Sequence, residues 1–547
     1  MGAFRSRGND EPTILDHVVD AVIQFTSTIG GLMRNVLICW IVLLTVGIIG
    51  ATAIAGDIKS AGAKGNWSAG STWVGGVVPG AADNVTIANG DTVTLDVSAT
   101  ITSLTVGEGT TGAFLFNKTG SVKLTINGNL LVKVGAVFKV QTRAAVTPEV
   151  LDTLYITGNI TNQGAGFDLR GGTAGSSLSV CNVVFTGSGN STITMGSYTS
   201  STNEFNGMVF DKSGSGRVIL GSDVVSGGGS SSQTTGDPIW TFKRGMVETG
   251  PYAMIHVWTS ASAVAGASDL SYVLGAMGRG MSNSGGSERT FQIGDARGYR
   301  PVKVRSTTAG GTTGHYVRVQ AIAGNANPGT SSFAGNIDKV SAVRYFKITY
   351  SQGGSTTANM SFDRFTAGYG SDDGVAGGNQ NLRVATADSA RVRWTGQGPT
   401  ATPYTTALDS LPRFITSDAL TTPIQLASGA SINMALARLT GTQENSLAGA
   451  TSVERISDLP SSFSLGQNYP NPFNPSTNVR FNIRSSGLVT LKVYDVLGNE
   501  IATLVNREMG PGTYVASWDA GRFDSGVYFC RLQSGGFIAT TKMTLVK

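Results

Sequence analysis

The sequence predicts an all-β protein of three units: a right-handed β-helix over 56–287, a β-sandwich over 288–440 and a smaller antiparallel sandwich over 463–547. Short alternations of apolar and polar residues, punctuated by glycine and asparagine, run through most of the chain and predict strands. The chain has 547 residues, of which 74 are glycine and only 14% are charged. This composition is typical of an extracellular β protein rather than of a cytosolic enzyme.

An internal repeat predicts the architecture of the first unit. Short strands with glycine or asparagine corners recur at spacings of 20, 30 and 29 residues, and each is too small to bury its own apolar face. Stacking such units buries a continuous core, as in a solenoid. A multi-sheet sandwich with coincidental spacing stays open as the alternative. The repeated strands begin at Leu104, Leu124, Leu154 and Val183, with Met208 as a further copy.

The repeat also predicts which side chains form the core. Leu124, Ile126, Leu154 and Ile156 alternate with polar neighbours, so we expect all four to point inward and to stack in adjacent coils. Trp67 and Trp73 precede the repeat and allow two interpretations. The favoured one is a hydrophobic cap on the first coil, and the other is a platform on which a carbohydrate stacks.

The N-terminal segment 1–55 is interpreted as an extension followed by an export signal. An apolar run at 36–49 follows Arg34 and precedes Ala53-Ile54-Ala55, which predicts a signal peptide cleaved after Ala55. The run is short for a bilayer span, which needs about 20 apolar residues, so a retained anchor is the alternative. Met33 is the expected start of translation, with an extended cytoplasmic segment as the other interpretation of 1–32.

Composition and motifs argue against several functional classes. The net charge of +5 is small for this length and no basic block stands out, so nucleic acid is not an expected partner. Cys39 falls in the export segment, which leaves Cys181 and Cys530 in different units without disulfide or metal-ligand spacing. No catalytic residue, cofactor site or metal site is therefore predicted.

Three weak candidates for chemistry can still be named. Asp168 with Arg170, and Asp363 with Arg364, could supply a carboxylate or a cation to glycan cleavage, but each is interpreted as a solvated surface pair. Ser371-Asp372-Asp373-Gly374 offers oxygen ligands for Ca²⁺ but lacks the spacing of a dedicated loop, so a plain turn is favoured.

The polar segment 441–462 predicts a linker, and we expect few contacts between the units on its two sides. Three prolines within Pro470–Pro475 exclude a helix just after it and favour extended, turn-rich chain. The strands predicted beyond them are 479–483, 489–494, 501–505, 513–518, 527–532 and 542–546.

The motifs of this last unit resemble the type A C-terminal sorting domain of type IX secretion, which implies an Ig-like sandwich. They run in order from Asn468 through Val493–Gly498 and Gly526–Phe529 to a closing Lys542-Met543. The resemblance carries a sorting-motif role onto these residues: Tyr469, Pro470, Asn471, Pro472, Phe473, Asn474, Pro475, Tyr494, Asp495, Gly498, Gly526, Tyr528 and Lys542.

The resemblance implies a diderm bacterium of the Bacteroidota–Chlorobi kind, whose type IX machinery and sortase-like protease would be the partners of this unit. It also implies delivery to the cell surface or medium, usually with removal of the domain and attachment of the cargo to lipopolysaccharide. The first half similarly resembles bacterial surface β-helix proteins. We therefore expect a structural or adhesive surface protein. A carbohydrate-binding protein, or a polysaccharide lyase or hydrolase on the β-helix, is the alternative.

Overall fold

The computed structural model describes residues 55–547 with short gaps; residues 1–54, including Ala53 of the predicted cleavage site, lie outside the described residues, whereas Ala55 is described and exposed. The gaps are 63, 118, 142–149, 165, 171–178, 198–202, 227–238, 258–262, 282–285, 308–314, 328, 330, 352–358, 371–372, 374, 376–380, 401–412, 443–446, 448–452, 458–459, 461 and 522, together with the side chains of 150, 413 and 453–457.

The all-β prediction is confirmed. The described residues form strands and two short 3₁₀ turns, Gly70–Thr72 and Val74–Gly76, and none of them lies in an α-helix. No helix within the described ranges has the length and apolar character of a membrane span. The cause is visible in the burial pattern, because most strands alternate buried and exposed side chains with a period of two.

The first region is a succession of short strands. They are β1 (Asp57–Lys59), β2 (Lys64–Asn66), β3 (Asn84–Ile87), β4 (Thr92–Leu95), β5 (Ala99–Ile101), β6 (Ser103–Val106), β7 (Ala113–Phe116), β8 (Lys123–Ile126), β9 (Leu130–Val132), β10 (Val137–Val140), β11 (Val150–Ile156), β12 (Ile160–Asn162), β13 (Gly166–Asp168), β14 (Ser179–Phe185), β15 (Ser191–Thr194), β16 (Glu204–Phe205), β17 (Met208–Asp211), β18 (Val218–Leu220), β19 (Val224–Ser226), β20 (Trp240–Arg244), β21 (Val247–His256), β22 (Val264–Ala265) and β23 (Val273–Gly280).

These strands pair in parallel along three ladders. Within a ladder, each strand forms hydrogen bonds with the strand one repeat later in the chain. The first ladder runs β1, β3, β6, β9, β12, β15, β18 and β21. The second runs β2, β4, β7, β10, β13, β16, β19 and β21. The third runs β5, β8, β11, β14, β17, β20 and β22.

The register of the third ladder matches the predicted core. Leu124 pairs with Leu154, and Ile126 pairs with Ile156. All four side chains are fully buried, as expected from the repeat. The set of repeated strands needs one correction, because Leu104 lies on β6 in the first ladder whereas the other copies lie in the third. The sequence motif is the same in both ladders because every strand faces the same core with the same alternation.

Parallel pairing in register also stacks like side chains above one another. In the second ladder Phe114 stacks on Phe138 at 5.1 Å between ring centroids, and Phe138 stacks on Phe167 at 5.5 Å. Offset ring pairs of this kind contribute about 0.5–1.5 kcal/mol each beyond the area that they bury. The rings therefore stabilise the register as well as the core.

Trp67 and Trp73 close the first end of this core. They are 1% and 2% exposed, and their rings meet edge to face at 4.8 Å. The indole nitrogen of Trp73 donates to the carbonyl oxygen of Trp67 at 2.9 Å, so its polar group is satisfied inside. Their burial agrees with the hydrophobic-cap interpretation. The carbohydrate platform is wrong for these two residues, since neither ring face reaches solvent.

The second region consists of longer, mostly antiparallel strands. They are β24 (Ser287–Phe291), β25 (Ile293–Asp295), β26 (Gly298–Tyr299), β27 (Val302–Ser306), β28 (Tyr316–Ala323), β29 (Ser332–Ala334), β30 (Ile337–Val340), β31 (Arg344–Ser351), β32 (Met360–Tyr369), β33 (Leu382–Ala387), β34 (Arg393–Gly396), β35 (Arg413–Thr416), β36 (Ile424–Leu426) and β37 (Ser431–Leu439).

No break separates the first and second regions near residue 287. Val273 and Leu274 of β23 still pair in parallel with β25, whereas 276–280 of the same strand pair antiparallel with β28. The main apolar cluster continues from Trp67 to Leu447, with two smaller clusters beside it. We name residues 57–447 the cargo region, because they share this core.

The last strands build two four-stranded antiparallel sheets that face a separate apolar cluster, whose buried members among the described residues lie between Phe473 and Leu545. The strands are β38 (Val453–Ser457), β39 (Ser464–Leu465), β40 (Ser476–Ile483), β41 (Gly487–Tyr494), β42 (Glu500–Met509), β43 (Gly512–Asp519), β44 (Gly526–Ser534) and β45 (Phe537–Leu545). We name residues 453–547 the tail domain.

Two findings revise the segment 441–462 that was predicted as a linker. Val453 to Ser457 form β38, which pairs with β43 and so belongs to the tail domain. Leu447 is fully buried in the apolar cluster of the cargo region. The stretch between these two attachments is therefore only 448–452. The predicted strand 501–505 is also longer, because β42 continues to Met509.

Candidate functional site

The proline-rich entry of the tail domain folds onto the last strand. The amide of Phe473 donates to the carbonyl oxygen of Thr544 at 2.9 Å, and the amide of Val546 donates to the carbonyl oxygen of Phe473 at 3.0 Å. The Phe473 ring is 2% exposed and lies 5.4 Å from the ring of Trp518. The two ends of the domain are thus joined in one structure.

Buried polar side chains hold the turn-rich segment in shape. The Asn468 side-chain nitrogen donates to the carbonyl oxygen of Pro470 at 3.0 Å and to Oγ1 of Thr477 at 2.9 Å. The Thr477 hydroxyl in turn donates to the same carbonyl oxygen at 2.8 Å. Prolines cannot donate backbone hydrogen bonds, so these side chains supply the donors that the segment lacks. The carbonyl oxygen of Pro475 accepts from the amide of Ala520 at 2.9 Å.

The backbone of Lys542, on the last strand, accepts hydrogen bonds from the proline-rich entry of the domain. Its carbonyl oxygen accepts from the side-chain nitrogen of Gln467 at 2.7 Å and from that of Asn471 at 3.3 Å. Asn471 also accepts from the amide of Thr544 through Oδ1 at 2.9 Å. The structure therefore brings Asn471 and Lys542 together, although 70 other residues separate them in the chain.

A second part of the motif is a tight turn. Asp495 Oδ1 accepts from the amides of Leu497 and Asn499, each at 2.9 Å, and Oδ2 accepts from the Asn499 side chain at 2.9 Å. These hydrogen bonds, led by the one from the Asn499 side chain, hold the pKa of Asp495 below its usual value. Gly498 has a φ of +84°, which a residue with a Cβ rarely adopts. The motif residues Asp495 and Gly498 are thus explained by the turn itself.

The third part of the motif begins β44. Gly526 is its first residue, and the Tyr528 hydroxyl donates to the carbonyl oxygen of Asp524 at 2.7 Å. The Tyr528 ring meets Trp518 edge to face at 5.4 Å. Tyr494 is half-buried on the opposite, outward face of the sheet, beside Lys492 and Arg531 along a shallow groove. The predicted site residues therefore serve different purposes, and the structure does not gather them into one pocket.

Some apolar side chains of the tail domain face solvent instead of its core. Tyr469 is 81% exposed, Leu497 is 84% exposed and Val496 is 67% exposed. Tyr469 belongs to the proline-rich entry, and the other two form the tip of the Asp495 turn. These three side chains are not part of the apolar core of the tail domain. They are candidates for contact with another molecule.

The sequence-level candidates for chemistry have partners other than those expected. Arg170 is buried and pairs with Glu204 at 3.4 Å, while its amide donates to Asp168 at 2.9 Å. Asp363 is 6% exposed and forms a bidentate pair with Arg305, not with Arg364. The interpretation of both as solvated pairs is wrong, because Arg170 and Asp363 are buried.

The segment 371–374, for which a plain turn was favoured over a calcium loop, lies largely outside the described residues. Asp373, which is described, is fully buried and faces Arg344 at 3.0 Å and Arg300 at 3.5 Å. Guanidinium groups already neutralise this carboxylate. No group of three or more His, Cys, Asp or Glu side chains among the described residues is arranged to hold a metal ion.

Sequence reasoning missed several residues that shape the tail domain. Asn468 begins the motif but was not predicted as a site residue, and neither were Thr477 and Trp518. Thr477 lies opposite Trp518 in the register of β40 and β43, so a strand pattern alone could have linked them to the same end of the domain. Asn468 gave no such signal, because its side chain donates a hydrogen bond to the carbonyl oxygen of Pro470 inside a turn.

Comparison with known families identifies the tail domain. The family described as "Secretion system C-terminal sorting domain" matches residues 467–547, which include the predicted motif residues from Tyr469 to Lys542. No curated protein and no solved structure matches the chain. Residues 467–547 are thus a C-terminal sorting domain of the type IX secretion system, and the chain is a sorting-domain protein exported to the cell surface or beyond.

Proposed function

We propose that the cargo region is a structural or adhesive surface module, wound as a right-handed β-helix, that the tail domain delivers. The three parallel ladders and their stacked phenylalanines support this proposal. A module of this kind is long and rigid, and it gains its stability from coil-to-coil stacking.

The observation that carries the proposal is a set of hydroxyl side chains on the first ladder. Thr86 pairs with Thr105, and Thr161 pairs with Thr194, all half-exposed on the outward side, while Lys59 precedes the first pair and Leu131 lies between the two pairs. Such a face is largely polar and carries little charge. It suits repeated weak contacts with a surface polymer or with neighbouring molecules better than it suits a single small ligand.

The two alternatives are a carbohydrate-binding protein and a polysaccharide lyase or hydrolase. Carbohydrate-binding sites commonly use exposed aromatic rings, and within the described part of the cargo region no large aromatic side chain is among the most exposed hydrophobic residues. Asp168 and Asp363, the carboxylates considered for a lyase or hydrolase, are engaged by neighbouring groups. The proposed role is accordingly non-enzymatic.

Binding to a glycan array, with the chain from Gly56 to Lys547, tests the role. The adhesive proposal expects weak binding that grows with the density of immobilised glycan, and that falls when Thr105 and Thr161 are changed to Lys. Tight binding of a monomeric glycan, or release of cleaved products, would support one of the alternatives instead.

For delivery, we propose that the sorting domain is removed at the surface and that the cargo is then attached to lipopolysaccharide. A fluorescent reporter behind a signal peptide, fused to residues 453–547, is expected at the surface of a host with type IX secretion. The same fusion in a host lacking that machinery is the control and should stay periplasmic. The reporter should also shift to the mobility of a lipopolysaccharide conjugate; an unshifted surface reporter would contradict attachment only.

A further inference from the structure

We propose that the sorting domain is docked on its own cargo through Arg507, which inserts into a socket formed by Asp269, the carbonyl group of Arg297 and Gly298. This inference goes beyond the proposed function, since it concerns the folded chain before any processing. It identifies an interaction surface on the cargo region whose partner is a guanidinium group of the tail domain.

The position of Arg507 in its strand is the first observation. Along β42 the side chains of Val505, Arg507 and Met509 are buried while Asn506 and Glu508 are exposed. Arg507 thus occupies an inward position in an otherwise apolar alternation, and only 8% of its side chain is exposed. Burying a guanidinium group without partners costs several kcal/mol, so the structure must provide acceptors.

Both polar contacts recorded for this guanidinium are made to the cargo region. Nη1 of Arg507 donates to the carbonyl oxygen of Arg297 and lies 3.7 Å from Oδ1 of Asp269. Desolvation by burial lowers the pKa of Arg507, and the nearby Asp269 carboxylate opposes that shift. The charge of a tail-domain residue is therefore balanced by a carboxylate of another unit.

The socket is part of an ordered network. Asp269 accepts from the amide of Tyr299 at 2.7 Å and is shared with Arg300, whose Nη1 lies 3.7 Å away. Arg300 in turn faces Asp373, which faces Arg344. Each of these side chains is less than 15% exposed, and Asp269 is held by Tyr299 and Arg300 of its own region in addition to its contact with Arg507. A preorganised carboxylate loses less conformational entropy on binding than a mobile one.

Gly298 provides the room for the guanidinium. A Cβ at this position would lie 2.2 Å from Nη1 of Arg507 and 2.5 Å from Oδ1 of Asp269. Any side chain here would therefore close the socket. The contact also constrains the chain between the two units, because Leu447 is held in the cargo core and β38 in the tail sheet, with only 448–452 between them.

The distance between one nitroxide label on each unit tests the docking. Lys347 of the cargo region and Arg531 of the tail domain are exposed, so each can be changed to Cys in the chain from Gly56 to Lys547. That chain leaves out Cys39, and Cys181 and Cys530 are buried, so they should not be labelled. Double electron–electron resonance then reports the distribution of distances between the labels.

The docked tail is expected to give a single narrow distribution, and Arg507→Gln is expected to abolish that narrow distribution. Arg480→Gln is the matched control, since Arg480 is an exposed arginine of the same domain, and it should leave the distribution unchanged. Asp269→Asn repeats the test from the cargo side, which matters if Arg507→Gln unfolds the tail domain. A broad distribution in the unsubstituted chain, or a narrow one in both Arg507→Gln and Asp269→Asn, would overturn the proposal.

Discussion

Asp152 and Cys181 are register partners on the neighbouring strands β11 and β14, and both side chains are fully buried. Oδ1 of Asp152 accepts from the amide of Val122 at 2.9 Å, whereas Oδ2 has no hydrogen-bond partner in the structure. Burial raises the pKa of Asp152 from 3.8 to about 7. The same burial, with the Asp152 carboxylate close by, raises the pKa of the Cys181 thiol.

This carboxyl group predicts a pH dependence of stability. Between pH 3.8 and about 7 the folded chain keeps the Asp152 proton while the unfolded chain has lost it, so the free energy of unfolding should fall as pH rises through this range. Asp152→Asn keeps an oxygen for the Val122 amide and carries no charge. We expect it to flatten that part of the pH profile and to stabilise the protein at pH 8, as measured by denaturant unfolding.

The exposed Asp223 is a control for that experiment. It lies in the same region of parallel strands and accepts from the amide of Ala253 at 2.8 Å, but its side chain is exposed to solvent. Asp223→Asn removes an exposed carboxylate and relieves no buried charge, so it should not stabilise the protein at pH 8. An identical profile for Asp152→Asn and the unsubstituted chain would show that Asp152 ionises normally in the folded state.

Truncation of Leu154 tests the stacked core. Leu154 lies between Leu124 on one side and Val183 on the other, and all three are fully buried. Leu154→Ala should lower the free energy of unfolding by about 2–5 kcal/mol, because a cavity remains between the paired strands. The outward Thr125→Ala is the control and should change it by less than about 0.5 kcal/mol. Equal effects of the two substitutions would argue against an inward, stacked Leu154.

Lys212 supplies a prediction that the sequence did not suggest. Its ammonium group is buried and donates to the carbonyl oxygens of Thr157 and Thr186 and to the Ser191 hydroxyl, joining three turns of chain. Lys212→Met preserves the apolar stem but removes the donor, which should cost about 1–3 kcal/mol through unsatisfied carbonyl groups. The exposed Lys243→Met is the control, and chemical denaturation measures both. A Lys212→Met chain as stable as the control would mean that water replaces the ammonium group.

Two motif residues of the sorting domain should behave differently. Phe473 is buried against Trp518, so Phe473→Ala should destabilise the tail domain by about 3–5 kcal/mol. Tyr469 is exposed, so Tyr469→Ala should leave stability unchanged and reduce delivery of a reporter fused to 453–547 if its ring contacts the secretion machinery. Delivery that is unaffected by Tyr469→Ala would exclude the ring from that contact.

Much of this protein follows from local sequence patterns. The all-β class, the inward direction of Leu124 and Leu154, and the type IX sorting domain each rest on features that neighbouring residues express together: a period of two, glycine or asparagine corners, and ordered short motifs. A strand has the same alternation whichever strand it pairs with, so these features can be recognised in the sequence alone. For the same reason the pattern could not distinguish the ladder of Leu104 from that of Leu124.

The tertiary structure determines which charged side chains are buried, because their partners lie far along the chain. The polar sequence Asn506-Arg507-Glu508 predicts the end of a strand, yet β42 continues to Met509 because its backbone pairs with β41 through this stretch. The partners of the buried Arg507, Asp269 and the Arg297 carbonyl group, lie more than 200 residues away in the chain. Asp363 similarly pairs with Arg305 across β27 and β32 rather than with its neighbour Arg364. The cost of burying a charge is set by the groups around it in space, and sequence order does not encode those groups locally.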